Sequence, residues 1–415
     1  MDTMYRILEE MHYELGFWDK DSPNEPYRYV LSPDAMRLDD NYQQQLQTIA
    51  AGVSAYLKSL PMLQKLSENP NGDHSLGLAS TLIRQGNNGF TPNYSDTRAM
   101  PMCKVDIMID SNNTLQIAEL DAYNPRGIAY IIMLRHIYQQ CIDEQSQDFI
   151  GMAEHLKNVL PQDEMSWIYA DRERYYGRVI NISNNLLYDK TGIRMHGIQS
   201  SKTNGEVYLP KMILPFGMSN KDELSLRDTM MEQYLSNPKE FFFPAMPWVG
   251  SKGLLGLVSN PTSNSILNPL SESFEKDTFL LKNHLPETVL VGRKFQRDVL
   301  EFQNTHEEYV LKMNMASGMK GVWMPGNTNF ENELTIAQQA KKSSYVLQQF
   351  VDQKKHEFSY FDVQGELQVR DDWYVRLIAY ISSDGQIIDA EVTARTEPDV
   401  HGALDCLQIP CILSK

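Results

Sequence analysis

The chain has 415 residues, room for two or three packed units, and its 42% apolar and 22% charged content is that of a globular protein, not a disordered or fibrous one. With 38 Lys and Arg against 54 Asp and Glu, the net charge of −16 argues against nucleic acid or an anionic membrane as a partner; a phosphate must be met by a local cluster of cations. No apolar run reaches bilayer length, the opening MDTMYRILEEMHYELGFWDK lacks the order of a signal peptide, and Cys103, Cys141, Cys406 and Cys411 form no CxxC pair, so the expectation is a cytoplasmic chain without a zinc site.

Residues 1–85 read as helical. Within 39–66, Leu46, Ile49, Val53, Tyr56, Leu57 and Leu60 recur at helical spacing. A Gly-, Asn-, Thr- and Pro-rich loop at 85–98 separates them from 104–127, which reads as a β-hairpin. Val105, Ile107 and Ile109 alternate with Lys104, Asp106 and Met108; DSNNT at 110–114 is turn chemistry; Leu115 and Ile117 resume the alternation. Side chains two apart on a strand share a face, so Lys104 and Asp106 point one way, and so do Glu119 and Asp121. If the turn sets those faces in register, three carboxylates and a lysine converge, a set suited to a hard divalent cation such as Mg²⁺. An acidic hairpin with a solvated outer face is the plainer alternative. NPRG at 124–127 follows as a rigid turn that brings Arg126 beside the carboxylates and lets the backbone approach a phosphate closely.

A helix is expected over 128–145. At 165–250, short apolar strands at 167–170, 193–197 and 207–214 and a helix at 172–187 suggest a small α/β unit with a partly parallel sheet. No GxGxxG follows its first strand, which removes support for dinucleotide binding. FFFPAMPW at 241–248 links to Lys252, which opens an apolar helix where its ammonium could meet an anion. A strand is expected near 287–291. Another, at 309–313, carries Lys312 and precedes ASGMKGV, either a phosphate cradle or simply a flexible hairpin loop. SYVLQQFV at 344–351 is a further strand, and 357–396 is strand-rich. There Arg376 and Arg395 interrupt apolar runs and need an anionic partner, a carboxylate or a bound phosphate. Asn- and Ser-rich loops lie at 86–96 and 260–273.

Lys252 opening a helix, Lys312 before ASGMKGV, the strand VLQQFV and the hairpin KVDIMID…QIAELD together resemble the ATP-grasp family. The metal hairpin precedes both lysines, as in the circularly permuted members of the eukaryotic glutathione synthetase and glutathionylspermidine synthetase type. The resemblance covers about residues 95–400. It implies a mixed α+β and α/β chain: a helical region at 1–90, the metal-site hairpin and helix at 91–160, a small substrate domain at 161–250, and the nucleotide-binding subdomains at 251–415. It further implies that Lys104, Lys252 and Lys312 meet the phosphates of ATP, beneath a loop that includes Ser317, Gly318 and Gly321. Gln348, Gln349 and Val351 would border adenine, and Asp106, Glu119 and Asp121 would bind Mg²⁺. Arg126, Arg376 and Arg395 would hold the acyl phosphate or the substrate carboxylate. Lys104 stands where the family usually has arginine, and Asp121 where it usually has asparagine; neither change removes a required charge. The implied activity joins the carboxylate of an amino acid or small peptide to an amine; in a variant of it the acyl group passes to the thiol of an acyl-carrier protein. The alternative is a catalytically silent nucleotide-binding protein. A homodimer through the edge of the small sheet is compatible with either.

Overall fold

The computed structural model describes residues 30–68, 96–123, 127–141, 149–160, 163–169, 174–202, 212–213, 221–259, 280–315, 321–341, 344–361, 366–399 and 406–413. Arg126, Ser317, Gly318, the loop at 260–273 and all but the last residue of that at 86–96 lie outside these.

Two short strands, β1 (Val30–Leu31) and β2 (Met36–Leu38), precede α1 (Asp40–Glu68). Asp39 caps this helix, its carboxylate accepting the N–H of Tyr42 at 2.9 Å. Leu46, Ile49, Val53, Tyr56, Leu57 and Leu60 are all buried, as their spacing requires. The hairpin consists of β3 (Met102–Ile109) and β4 (Leu115–Asp121). Asp110 builds its turn by accepting the N–H groups of Asn112 and Thr114, with Asn113 at φ 62°. Next come α2 (Ile128–Cys141), α3 (Met152–Val159), β5 (Glu164–Tyr169), α4 (Arg174–Thr191), β6 (Arg194–Gln199), β7 (Met212–Ile213), α5 (Lys221–Ser236) and α6 (Lys252–Ser259). The remainder is β8 (Thr288–Val291), α7 (Gln296–Thr305), β9 (Tyr309–Met313), β10 (Val322–Trp323), α8 (Phe330–Gln339), β11 (Tyr345–Gln349), β12 (Lys355–Phe361), β13 (Leu367–Ser382), β14 (Ile387–Arg395) and β15 (Leu407–Leu413).

These elements make a mixed α+β fold with three sheets. The largest has eight strands in the order β1–β15–β14–β13–β3–β4, with β12 on the first half of β13 and β2 also on β15. Its apolar face, with Val105, Ile107, Leu377, Ala379 and Val392 buried, packs on α1. Its other face is polar and carries the site described below. The second sheet, β10–β9–β11–β8, is antiparallel. One side of it buries Val289, Val291, Leu311 and Leu347 against α7 and α8. The third is the small parallel sheet β6–β5–β7 expected from 165–250.

The helical expectation for the first 85 residues fails at 30–38. β1 and β2 pair in parallel with β15, Val30 beside Leu407 and Met36 beside Cys411. A strand of two or three residues shows no period in sequence, and its partner lies at the far end of the chain, so nothing local reveals it.

Candidate functional site

The hairpin register brings the expected charges together, by a device that alternation alone does not give. Strict period-2 alternation from Leu115 and Ile117 would turn Glu119 and Asp121 into the apolar core. Instead the pairing shifts between Asp106 and Ile107: Ile107 opposes Ile117, while Asp106 opposes Glu119 and Lys104 opposes Asp121. The extra residue, Ala118, is a β-bulge that reverses the phase of the strand end, sending Leu120 inward and both acids outward.

The ladders continue the polar face across the sheet. Glu119, Asp106, Ile378 and Glu391 form one row over β4, β3, β13 and β14. Asp121, Lys104, Tyr380 and Asp389 form the next, and Met108, Arg376, Thr393 and Gln408 flank the first row on its other side. At the centre, buried Asp106 accepts a hydrogen bond from Arg376 Nη1 at 3.2 Å, and its Oδ1 stands 3.5 Å from Lys104 Nζ. Burial pushes the Asp106 carboxyl up, but Lys104, Arg376 and Lys252 outweigh it and hold the group below the usual carboxylate range. Burial likewise works to lower Lys104, and Asp106 with Asp121 carries it above the usual lysine value instead.

The second sheet and α6 face this floor with one lysine each. Lys252, at the start of α6 and 5% exposed, is held by its backbone N–H on Asn314 O at 3.0 Å and by Nζ on Glu119 Oε1 at 2.8 Å. Lys312 projects from β9 and donates to Gln348 Oε1 and, at 3.5 Å, to Ala118 O, the carbonyl of the bulge residue. Gln348 in turn donates to Thr288 Oγ1 at 3.1 Å. Lys312 thus meets neutral oxygens. Its pKa falls to about 8, through burial first and the Lys252 ammonium second, with Glu119 and Asp106 pulling the other way. Two lysines that repel one another above a carboxylate-bearing floor suit a multiply charged anion between them. The two sheets are also joined at the open edge of β4, where Ile117 N–H donates to His284 O at 2.6 Å and Leu115 O lies 2.8 Å from His284 Nδ1.

The structure therefore brings together Lys104, Asp106, Glu119, Asp121, Lys252, Lys312, Arg376 and Gln348. Arg395 lies on the same face of β14 and pairs with Asp399 at 2.7 Å, which is the carboxylate alternative left open for it. The Gln349 N–H donates to Glu287 O at 2.8 Å, so it is already taken up within the fold. Gln348 contributes through its side chain, and Val351 is buried just beyond β11. Gly321 closes the β9–β10 turn at φ 73°, where any Cβ would meet Met313 at 2.6 Å.

Sequence reading missed Glu391. It is 6% exposed, accepts from Tyr380 Oη at 3.3 Å, and its Oε2 has no hydrogen-bond partner. Burial raises its pKa to about 7 against the opposing pull of Lys104 and Arg376. The clue was present: Asp389, Glu391, Thr393 and Arg395 alternate with apolar residues through β14. Gly127, at φ 112°, lies against this end of the floor, where a Cβ would collide with Tyr380 Oη.

Among the described residues no group of three or more His, Cys, Asp or Glu side chains is gathered closely enough to hold a metal by itself. The donors nevertheless suit a hard cation that arrives with phosphates. Asp106 and Glu119 oppose each other across the ladder, and the buried Asp106 Oδ1 has no hydrogen-bond partner.

Fold and site define a mixed α+β protein in which a four-stranded sheet and a neighbouring helix each bring a lysine onto the acidic floor of an eight-stranded sheet. No protein-family model and no curated protein matches the sequence. Among solved structures, a glutathione synthetase-like effector from Globodera pallida, in its apo form, superimposes with a TM-score of 0.56 at 11% identity, over 93% of this chain and 90% of that one. At that identity the likeness is one of fold.

Proposed function

We propose that the chain is an ATP- and Mg²⁺-dependent ligase on a circularly permuted ATP-grasp fold, joining the carboxylate of an amino acid or small peptide to an amine or thiol. The observation that carries this reading is the convergence of Lys252 and Lys312 on Glu119 and the bulge at Ala118, beside Lys104, Arg376 and Asp106. The order of these elements, acidic hairpin first and lysines after, supports the permuted arrangement, and the glutathione synthetase-like neighbour supports the fold.

In this reading Lys252 and Lys312 bind the terminal phosphates and Lys104 and Arg376 balance the charge that develops as the γ-phosphoryl group moves to a carboxylate oxygen. Asp106 and Glu119, with Asp121 next on the strand, would hold Mg²⁺, which supplies further charge neutralisation when bound with the nucleotide. Catalysis then comes from positioning, and no side-chain nucleophile is required.

The test is ADP release from Mg·ATP with pooled amino acids and short peptides as both acid and acceptor. Pool-dependent release that drops at least ~100-fold in Lys312→Met and Glu119→Gln is expected. Equal release without any carboxylate would count against ligation. A silent nucleotide-binding protein is the second reading, favoured by the Glu119 carboxylate being closed onto Lys252; it predicts ATP binding with no turnover.

A further inference from the structure

We propose that Glu391 receives the ammonium group of the acceptor substrate and takes a proton from it, which makes the acceptor an amine and not a thiol. This rests on the ligase reading. β14 carries two acids two residues apart, Asp389 and Glu391. Asp389 is as buried as Glu391, but it is fully supplied: Arg135 holds it at 2.6 and 3.0 Å, and the N–H groups of Met152 and Ala390 donate to it at 3.1 and 3.0 Å. That is a structural acid. Glu391 has one long bond from Tyr380 and a bare, buried Oε2. A buried carboxylate oxygen without a donor is costly, and such exceptions call for a ligand or a role.

Its location supplies the role. Glu391 shares a row with Glu119 and Asp106, separated from Asp106 by Ile378. Two strand spacings put it about 10 Å along the floor from Asp106. The cation-lined end of the row takes phosphates; the Glu391 end is next to it, beyond one apolar side chain. Among the described residues, the groups that act on it are Lys104 from β3, Arg376 and Tyr380 from β13 and Asp389 from its own strand, with the Gly127 backbone ahead of α2 beside it. None of the side chains gives Oε2 a hydrogen bond, so a cationic donor from the substrate is what completes it. A thiol is neutral and only a weak donor, so it would match a buried carboxylate far less well than an ammonium. The pKa of about 7 suits exchange of a proton at neutral pH.

Glu391 takes one proton from the ammonium and frees the nitrogen lone pair. Attack forms the C–N bond, the C–O bond to phosphate breaks with its electron pair leaving on phosphate, and the second N–H proton departs with that phosphate.

Hydroxylamine separates this assignment from the reading beneath it, because it is neutral at pH 7 and traps an acyl phosphate without help from a base. Wild type and Glu391→Gln are given Mg·ATP and the carboxylate pool, with either hydroxylamine or a mixture of primary amines, and products are followed by mass spectrometry. Hydroxamate within about twofold in both proteins, with amide reduced about 100-fold in Glu391→Gln and recovering as pH rises, is the expected result. Equal amide formation overturns the assignment alone. Hydroxamate and amide falling together in the variant also overturns it, since Glu391 would then serve only the architecture. No hydroxamate from wild type removes the ligase reading and this proposal with it.

Discussion

On the eight-stranded sheet, buried Asp106 lies between Arg376 at 3.2 Å and Lys104 at 3.5 Å. On the four-stranded sheet, Lys312 meets, among the described residues, the neutral oxygens of Gln348 and Ala118. Around Asp106 the floor thus carries its own counter-charges. The facing sheet brings a cation that the fold does not compensate. A group that stabilises the fold and a group that waits for a ligand should respond to removal with opposite signs.

The largest effect is expected on the floor. Asp106→Ala leaves Lys104 and Arg376 buried without their shared carboxylate, which costs about 3–5 kcal/mol. Urea unfolding at pH 7 measures it, and a loss under about 1 kcal/mol would mean that the floor is not self-compensated.

Gly127→Ala should cost about 2 kcal/mol, from a left-handed φ and a clash with Tyr380 Oη. Near-UV circular dichroism should show the tyrosine environment altered with far-UV signal retained.

Lys312→Met is expected to run the other way, stabilising the folded protein at pH 7 by on the order of 1–2 kcal/mol while abolishing ATP binding. The sign follows from its pKa, about 8 when folded against roughly 10.4 when unfolded. Between those values the unfolded chain binds more protons, so wild-type stability should rise with pH from about 8 to about 10.4, and that rise should be missing in the variant. A destabilised Lys312→Met would collapse the contrast between the sheets.

Least affected is the exposed pair Arg370–Asp372, with side chains 43% and 39% exposed. Arg370→Ala should change stability by under about 1 kcal/mol, less still in high salt, and leave nucleotide affinity unchanged.

The hairpin was readable because its acids interrupt an apolar period-2 pattern, and Lys252 and Lys312 because each stands at the boundary of an apolar element. What escaped has physical reasons. The Ala118 bulge is a matter of register between two strands, and a single strand does not display it. Glu391 lies in an apolar-looking run whose polar members all turn to one face, visible only once that face is known to be enclosed. His284 seals the edge of β4 from a loop, where no periodicity exists. The apolar run of β13 covers only its second half, which pairs with β3; the polar first half, which pairs with β12, shows no such signal.

β15 binds both β1 and β2, and it pairs with β14, the strand that carries Glu391. Residue 30 therefore finds its neighbour only at residue 407. On a ribosome, β1 and β2 must wait for β15 to emerge, and the apolar stripe of α1 waits for β13. Contacts of such sequence separation fold slowly and leave strand edges open meanwhile. The protein should accordingly depend on chaperones during synthesis more than its ordinary composition would suggest, and removal of the few residues of β15 should undo both ends of the fold at once.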